Sequence, residues 1–153
     1  MSRKRFFAIA AAVLAAGGLF CLQYAWPRSW TKIVGTEDAP NRIYGQLVAI
    51  GDGEGTYQID DAKAGDPAFD VILSALEGSS FQHVPWGAAA PTGVVYLTVI
   101  YDAPRFAEVS VCDNSHAELG SWVVRSGSQT YRISGGLYDA LAAVLQQYGI
   151  LQK

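Results

Sequence analysis

The chain has 153 residues, two cysteines and a formal net charge of −3, and half of its residues are hydrophobic. The charge is unevenly spread, because all fourteen acidic residues and only six of the eleven basic residues lie beyond position 36, which gives that part a net charge of −8. Because this segment is acidic, we do not expect it to bind nucleic acid or an anionic membrane surface.

The N-terminus has the composition of a membrane anchor. Residues 1–5 form a basic segment, and residues 6–26 form an uncharged run rich in Ala and Leu. A helix of that length, at ~1.5 Å per residue, spans about 32 Å and can cross a hydrocarbon core of ~30 Å. Tyr24, Trp26 and Trp30 follow at its far end, where aromatic rings favour the membrane interface. Because the basic segment precedes the apolar run, we expect a cytoplasmic N-terminus and an extracytoplasmic C-terminal part.

A cleaved secretory signal is the alternative, and it would release the protein in secreted form. Cleavage requires small residues around the cut. Gln23 stands where a small residue would be needed in Gln23-Tyr24-Ala25, and Phe20 precedes Cys21, where a lipoprotein signal would also need a small residue. We therefore predict an uncleaved signal anchor over residues 6–26.

The rest of the chain divides into a short linker and one domain. Residues 27–41 contain two prolines, a glycine and several polar side chains, which predicts a tether. Residues 42–153 are long enough for one domain with one hydrophobic core. Cys21 and Cys112 fall on either side of the predicted membrane boundary, so no disulfide within the chain is expected.

Two segments of the predicted domain resemble each other, residues 56–78 and 130–149. Both begin with Thr-Tyr-x-Ile, and both continue to an aromatic residue followed by aspartate. The alternation at the start predicts a half-buried strand, and the preceding Asp52-Gly53 and Ser126-Gly127 predict hairpin turns. We interpret the repeat as architectural, with the rings of Tyr57 and Tyr131 buried beneath two helices.

Each repeated strand is followed by a predicted helix. Asp66-Pro67 predicts the first helix start, and Gly78 predicts its end. Apolar residues then recur at helical spacing in both segments. The first stripe contains Phe69, Ile72, Leu73 and Leu76, and the second contains Leu137, Leu141, Val144, Leu145 and Tyr148.

The remaining strands complete an α+β domain. Further strands are predicted at Leu47–Ile50, Ser80–Val84, Val94–Tyr101, Phe106–Cys112 and Ser121–Val124, and the Pro- and Gly-rich residues 85–93 predict a loop. The expected fold is an antiparallel sheet of about six strands with two helices on one face, built from two similar strand–turn–strand–helix parts.

Cys112 is the strongest candidate for chemistry. A thiolate beside a histidine can act as a nucleophile, and either His116, four residues on, or His83 could serve, with Arg125 available to stabilise an oxyanion. The alternative is an unreactive cysteine at a strand end, since Cys often behaves as a small hydrophobe. No metal site or cofactor is expected, because the Cys and His residues lack the paired spacings of zinc sites.

Trp86 is the candidate for binding, because a tryptophan in a loop can anchor a partner, although it could equally cover the core. The sequence thus predicts a membrane-anchored extracytoplasmic domain that is a non-enzymatic binding or structural module for a protein, peptide or envelope component. The alternative function is a thiol-dependent enzyme at Cys112.

Overall fold

A computed structural model describes residues 3–49, 55–84, 93–124 and 126–152. Within these ranges the chain forms four helices and eight strands. The helices are α1 (Arg3–Ala25), α2 (Trp30–Val34), α3 (Pro67–Gly78) and α4 (Leu137–Tyr148). The strands are β1 (Arg42–Ala49), β2 (Thr56–Lys63), β3 (Ser80–His83), β4 (Gly93–Asp102), β5 (Arg105–Val111), β6 (His116–Ser121), β7 (Ser126–Ser134) and β8 (Ile150–Gln152). The predicted α+β class is confirmed.

All eight strands belong to one antiparallel sheet, in the order β3-β7-β6-β5-β4-β1-β2-β8. This order explains the repeat. The units β1-β2-α3-β3 and β6-β7-α4-β8 each place their last strand against the second strand of the other unit, so β3 pairs with β7 and β8 pairs with β2. The hairpin of β4 and β5 joins the two units in the middle of the sheet.

The Thr-Tyr-x-Ile segments occupy corresponding places in β2 and β7. Tyr131, Ile133 and Ile59 are buried in the core. Tyr57 lies opposite Leu151 of the edge strand β8 and is only partly buried against the same core. The two tyrosines therefore differ in burial. Tyr131 lies in β7, which pairs with β3 and packs against aromatic side chains, whereas Tyr57 lies in β2, which is flanked by a three-residue strand with exposed side chains.

One face of the sheet carries the helices. α3 and α4 contact each other, and α4 packs on β1, β2 and β4. Gly45 of β1 lies directly beneath α4, since a Cβ added there would be 2.9 Å from Leu145 Cδ2. The expectation of two helices on this face is incomplete, because α2 also packs there, against β3, β6 and α3.

The expected count of about six strands is also too low. The sequence analysis missed β6 and β8, and it placed a strand at Ser121–Val124 where the chain turns after Ser121. The predicted hairpin turn at Ser126-Gly127 lies inside β7, and Ser126 pairs with Ser121. Weak β-formers in β6, whose sequence is His-Ala-Glu-Leu-Gly-Ser, concealed the strand, whereas Trp and Val made the turn look extended. The other predicted turn, Asp52-Gly53, lies outside the described residues.

The segment predicted as a tether contributes to the core. Trp30 of α2 is 1% exposed, and Ile33 and Val34 are also buried. Ser121 Oγ donates a hydrogen bond of 2.7 Å to the carbonyl oxygen of Val34. Before α2, Arg28 forms two backbone hydrogen bonds with Phe81 of β3, of 2.8 and 3.0 Å. The folded unit therefore begins at about the end of α1.

The N-terminal helix α1 is long and apolar enough to cross a bilayer. Its segment Arg5–Leu22 has a mean hydropathy of 2.0, and none of it is buried. An N-terminal signal sequence meets the same criterion, so the helix is consistent with either an anchor or a signal.

Candidate functional site

Cys112 and His116 lie together at the turn between β5 and β6. The backbone N–H of Cys112 donates a hydrogen bond of 3.3 Å to the carbonyl oxygen of His116. The inward neighbours Val111 and Ala117 are paired and fully buried, so Cys112 and His116 follow the opposite, helix-free side of the sheet. The structure therefore brings this predicted pair to one turn.

The aspartate of that turn holds the histidine. Asp113 Oδ1 accepts backbone hydrogen bonds from Ser115 (2.6 Å) and His116 (2.7 Å). The same carboxylate oxygen is 3.5 Å from Nδ1 of the His116 imidazole. Burial raises the pKa of Asp113, but the hydrogen bonds that its carboxylate accepts from the backbone of Ser115 and His116, together with the nearby His116 imidazole, lower this pKa overall. The acidic side chain thus has a clear structural role in closing the turn.

The surroundings of Cys112 suppress its reactivity. Burial raises the pKa of the Cys112 thiol, and the negative charges of Glu118 and Asp113 raise it further. An activated cysteine needs the reverse, namely a positive or hydrogen-bonding environment that stabilises the thiolate. The arrangement therefore disfavours the thiolate form of Cys112.

His83 lies away from Cys112. It belongs to β3, which is separated from β5 by β7 and β6, or about 14 Å at ~4.8 Å per strand. Its ring stands between those of Tyr24 and Tyr131, with centroid distances of 4.7 and 5.5 Å. Burial lowers the pKa of His83, and the charge of Arg28 lowers it further. The packing supports a structural role.

Two residues singled out from the sequence cannot be placed. Trp86 and Arg125 lie outside the described residues. In the described part of the chain, no group of three or more His, Cys, Asp or Glu side chains is arranged to hold a metal ion.

The sheet face opposite the helices is a candidate surface. Along β5, the side chains of Ala107, Val109 and Val111 are buried, whereas Glu108 is exposed and Ser110 is half-buried. The same alternation in β6 and β4 leaves one side of the sheet uncovered in the described ranges. The following residues lie on this uncovered face: Tyr44, Gln46, Gln58, Tyr96, Thr98, Phe106, Glu108, Ser110, Glu118, Thr130 and Arg132.

A groove of about 260 Å³ crosses this face over β5, β6 and the start of β7. Glu108 and Glu118 line it together with Trp122. Trp122 is 54% exposed, and its ring stacks on Phe106 at 5.6 Å with an interplanar angle of 27°. Gly120 and Gly127 form part of the lining, and the lack of side chains there keeps the groove open. We call this site the acidic groove.

Sequence reasoning did not identify the acidic groove. Trp122 was assigned to a strand, and Glu108 and Glu118 are ten residues apart on strands whose pairing was not predicted. The usable signal was the alternation in Phe106–Cys112, which places Glu108 on the less apolar face. The position of Glu118 beside Glu108 depends on the pairing of Ser110 with Glu118 between β5 and β6, which only the folded sheet defines.

A smaller depression of about 190 Å³ lies further along the uncovered face. Tyr44, Gln58, Asp60 and Tyr96 are among the residues that line it. Its mixed aromatic, amide and carboxylate lining extends the polar and aromatic character of the acidic groove across the sheet.

No protein-family model, curated protein or solved structure matches this chain. Any function must therefore be argued from the residues and their geometry.

Proposed function

We propose that this chain is a single-pass membrane protein whose extracytoplasmic domain binds a basic segment of a protein or peptide partner. The observation that carries this proposal is the uncovered sheet face with the acidic groove. Antiparallel sheets often leave one face to solvent, but such faces are usually plain polar surfaces. Here the face has a groove with two carboxylates and an exposed tryptophan braced by a second ring.

The chemistry of the acidic groove favours a cationic partner. Lys or Arg side chains can lie over the face of Trp122, an interaction that contributes about 0.5–1 kcal/mol at exposed sites. Glu108 and Glu118 would attract the same side chains, with modest energies because both carboxylates are exposed. The surplus of acidic residues beyond position 36 would speed encounter with a basic segment at low ionic strength.

The binding proposal predicts a charge-selective interaction. Full-length protein in detergent should bind a fluorescent peptide of alternating Lys and Gly, and it should not bind a Glu and Gly peptide of equal length. Trp122→Ala and the double variant Glu108→Gln/Glu118→Gln should each weaken binding by about two- to fivefold, the change that corresponds to the energies of exposed cation–π contacts and exposed ion pairs. Fluorescence anisotropy measures both affinities.

The matched control for this experiment is Asp70→Asn/Glu77→Gln. It removes the same charge from exposed positions on α3, on the other face of the sheet. Its affinity for the basic peptide should stay near that of the parent. Equal weakening in the two double variants would mean non-specific attraction to an acidic protein, and absence of binding to the parent would exclude a basic partner.

The proposed membrane position gives a second prediction. Protease added to spheroplasts should degrade the domain of residues 42–153, because the domain is on the outer side, and should leave a cytosolic marker intact. Mass measurement of the undigested protein in the membrane fraction should find that residues 6–26 are retained in the chain. A processed, soluble species as the main product would instead support the secreted alternative.

A thiol-dependent enzyme at Cys112 with His116 is the second candidate function. Its support is the proximity of the two residues at the β5–β6 turn. The raised pKa of the thiol and the placement of His83 on another part of the sheet weigh against it. We therefore favour the binding module.

A further inference from the structure

A second concavity lies where α1 meets the folded domain. It has a volume of about 620 Å³ and is lined by Leu22, Trp26, Pro27, Arg28, Ser29 and Lys32. Its lining combines Leu22 of α1 and the following Trp26 with two cationic side chains, and none of the described residues that line it is acidic. We call this site the exit pocket.

Hydrogen bonds and ring contacts connect the exit pocket to the domain. Gln82 Nε2 donates a hydrogen bond of 2.9 Å to the carbonyl oxygen of Tyr24, and Arg28 is bonded through its backbone to Phe81. The ring of Tyr24 packs against Phe20 of α1 (4.4 Å between centroids) and against His83 of β3 (4.7 Å). The end of α1, the segment that follows it and α2 therefore form the pocket beside the sheet edge, to which they are hydrogen-bonded.

The cationic side chains of the exit pocket form no salt bridge with a described residue. Arg42, Lys63 and Arg105 all lie within 4.0 Å of aspartate carboxylates. In the described part of the chain, no such pair includes Arg28 or Lys32. In a protein whose acidic residues all lie beyond position 36, these two charges are thus available to an external anion.

We propose that the exit pocket binds the phosphate of an anionic phospholipid headgroup, with Arg28 and Lys32 as the charged contacts. This inference rests on the proposed membrane position. The apolar segment of α1 extends to Leu22, so Trp26 and Arg28 come at the level of the membrane interface and its headgroups. Guanidinium and ammonium groups both bind phosphate well, and the apolar wall at Leu22 and Trp26 can accept the start of an acyl chain.

This pocket would do more than hold a lipid. Because α1 contacts β3, and the lining residue Arg28 is bonded through its backbone to Phe81 of β3, a bound headgroup would fix the domain close to the bilayer surface with the β3 edge nearest the membrane. The opposite edge, β8, would then lie farthest from the lipid.

The test uses the full-length chain reconstituted in phosphatidylcholine vesicles. Spin-labelled phosphatidylglycerol and spin-labelled phosphatidylcholine are added separately, and electron spin resonance measures the fraction of each lipid that the protein immobilises. The parent should prefer phosphatidylglycerol, with a contribution of about fivefold from each cationic side chain near the headgroups. Arg28→Gln/Lys32→Gln should lower the immobilised fraction of phosphatidylglycerol to about that of phosphatidylcholine.

The matched control is Arg42→Gln/Lys63→Gln, which removes one Arg and one Lys from the exposed ends of β1 and β2. It should keep the preference for phosphatidylglycerol. Equal loss in both double variants, or an equal preference for the two lipids in the parent, would overturn the headgroup site. Loss of the preference on adding excess inorganic phosphate at constant ionic strength would assign the pocket to a soluble anion and overturn the lipid proposal.

Failure of the membrane position has a separate signature. If the chain does not float with the phosphatidylcholine vesicles, the anchor is wrong and with it the premise of the site. If the chain floats with the vesicles but immobilises the two spin-labelled lipids equally, only the exit pocket proposal fails. A thermal melt of each double variant identifies any change caused by unfolding.

Discussion

Leu145→Asp should unfold the domain outside the predicted anchor. Leu145 lies in α4 with 0% exposure and packs over Gly45 at the centre of the helix-covered face. A carboxylate at this position would be buried in an apolar core with no partner, which costs several kcal/mol. Because small domains are stabilised by only about 5–15 kcal/mol, loss of the cooperative thermal transition in near-ultraviolet circular dichroism is the expected result. Leu76→Asp in α3, also with 0% exposure, should have the same effect.

The control substitutions introduce the same charge on the same helices. Ala143 in α4 and Val71 in α3 are exposed, so Ala143→Asp and Val71→Asp should melt close to the parent. The helix faces described above would be wrong if Leu145→Asp or Leu76→Asp melted within a degree or two of the parent. They would also be wrong if an exposed control unfolded.

Truncating Tyr131 to alanine should destabilise the domain more than truncating Tyr57. Tyr131 is 6% exposed, and its ring packs edge-on against Phe81 at 6.3 Å and against His83. Tyr131→Ala should therefore cost about 3–5 kcal/mol, as for other large aromatic residues in a core. For a domain of this size, the melting temperature should fall by about 10 °C or more. Tyr57→Ala should cost less, because Tyr57 is only partly buried beside the exposed edge strand β8.

Tyr131→Phe and Tyr57→Phe are the controls, since they keep the ring and remove only the hydroxyl. The Tyr131 hydroxyl donates a hydrogen bond of 3.0 Å to Gln129 Oε1, so Tyr131→Phe should cost about 1 kcal/mol. Unchanged melting of Tyr131→Ala together with loss of basic-peptide binding would contradict the architectural role of the repeat. Equal destabilisation by the two alanine variants would contradict the difference in burial.

The local elements of this fold were accessible from the sequence because they depend on short-range periodicity. The helix starts near Asp66-Pro67 and Leu137 were predicted, as were the apolar stripes that contain Leu76 and Leu145. The strand character of both Thr-Tyr-x-Ile segments also followed from alternation over a few residues. The apolar N-terminal helix was predicted from length and composition alone, which suffice for a continuous run without charge.

The site could not be predicted in the same way. The acidic groove needs Glu118 opposite Ser110, beside Glu108, and it needs Trp122 in the turn that stacks on Phe106. Those relations depend on the register of β6, a strand whose own residues favour no extended structure. The Cys112 and His116 pairing was suggested by spacing, but whether the thiol is activated depends on the surrounding charges of Glu118 and Asp113.

By itself, the sequence determined the apolar N-terminal helix, the α+β class, the acidic character of the C-terminal part and the two repeated units. Each of these features depends on composition or on contacts between near neighbours in the chain. The tertiary structure decided that β3 and β8 are exchanged between the units, that α2 belongs to the core, and that the end of α1 is bonded to the sheet edge. These features come from pairings between residues as far apart as Tyr24 and Gln82, whose partners are selected by burial and backbone hydrogen bonding of the whole sheet.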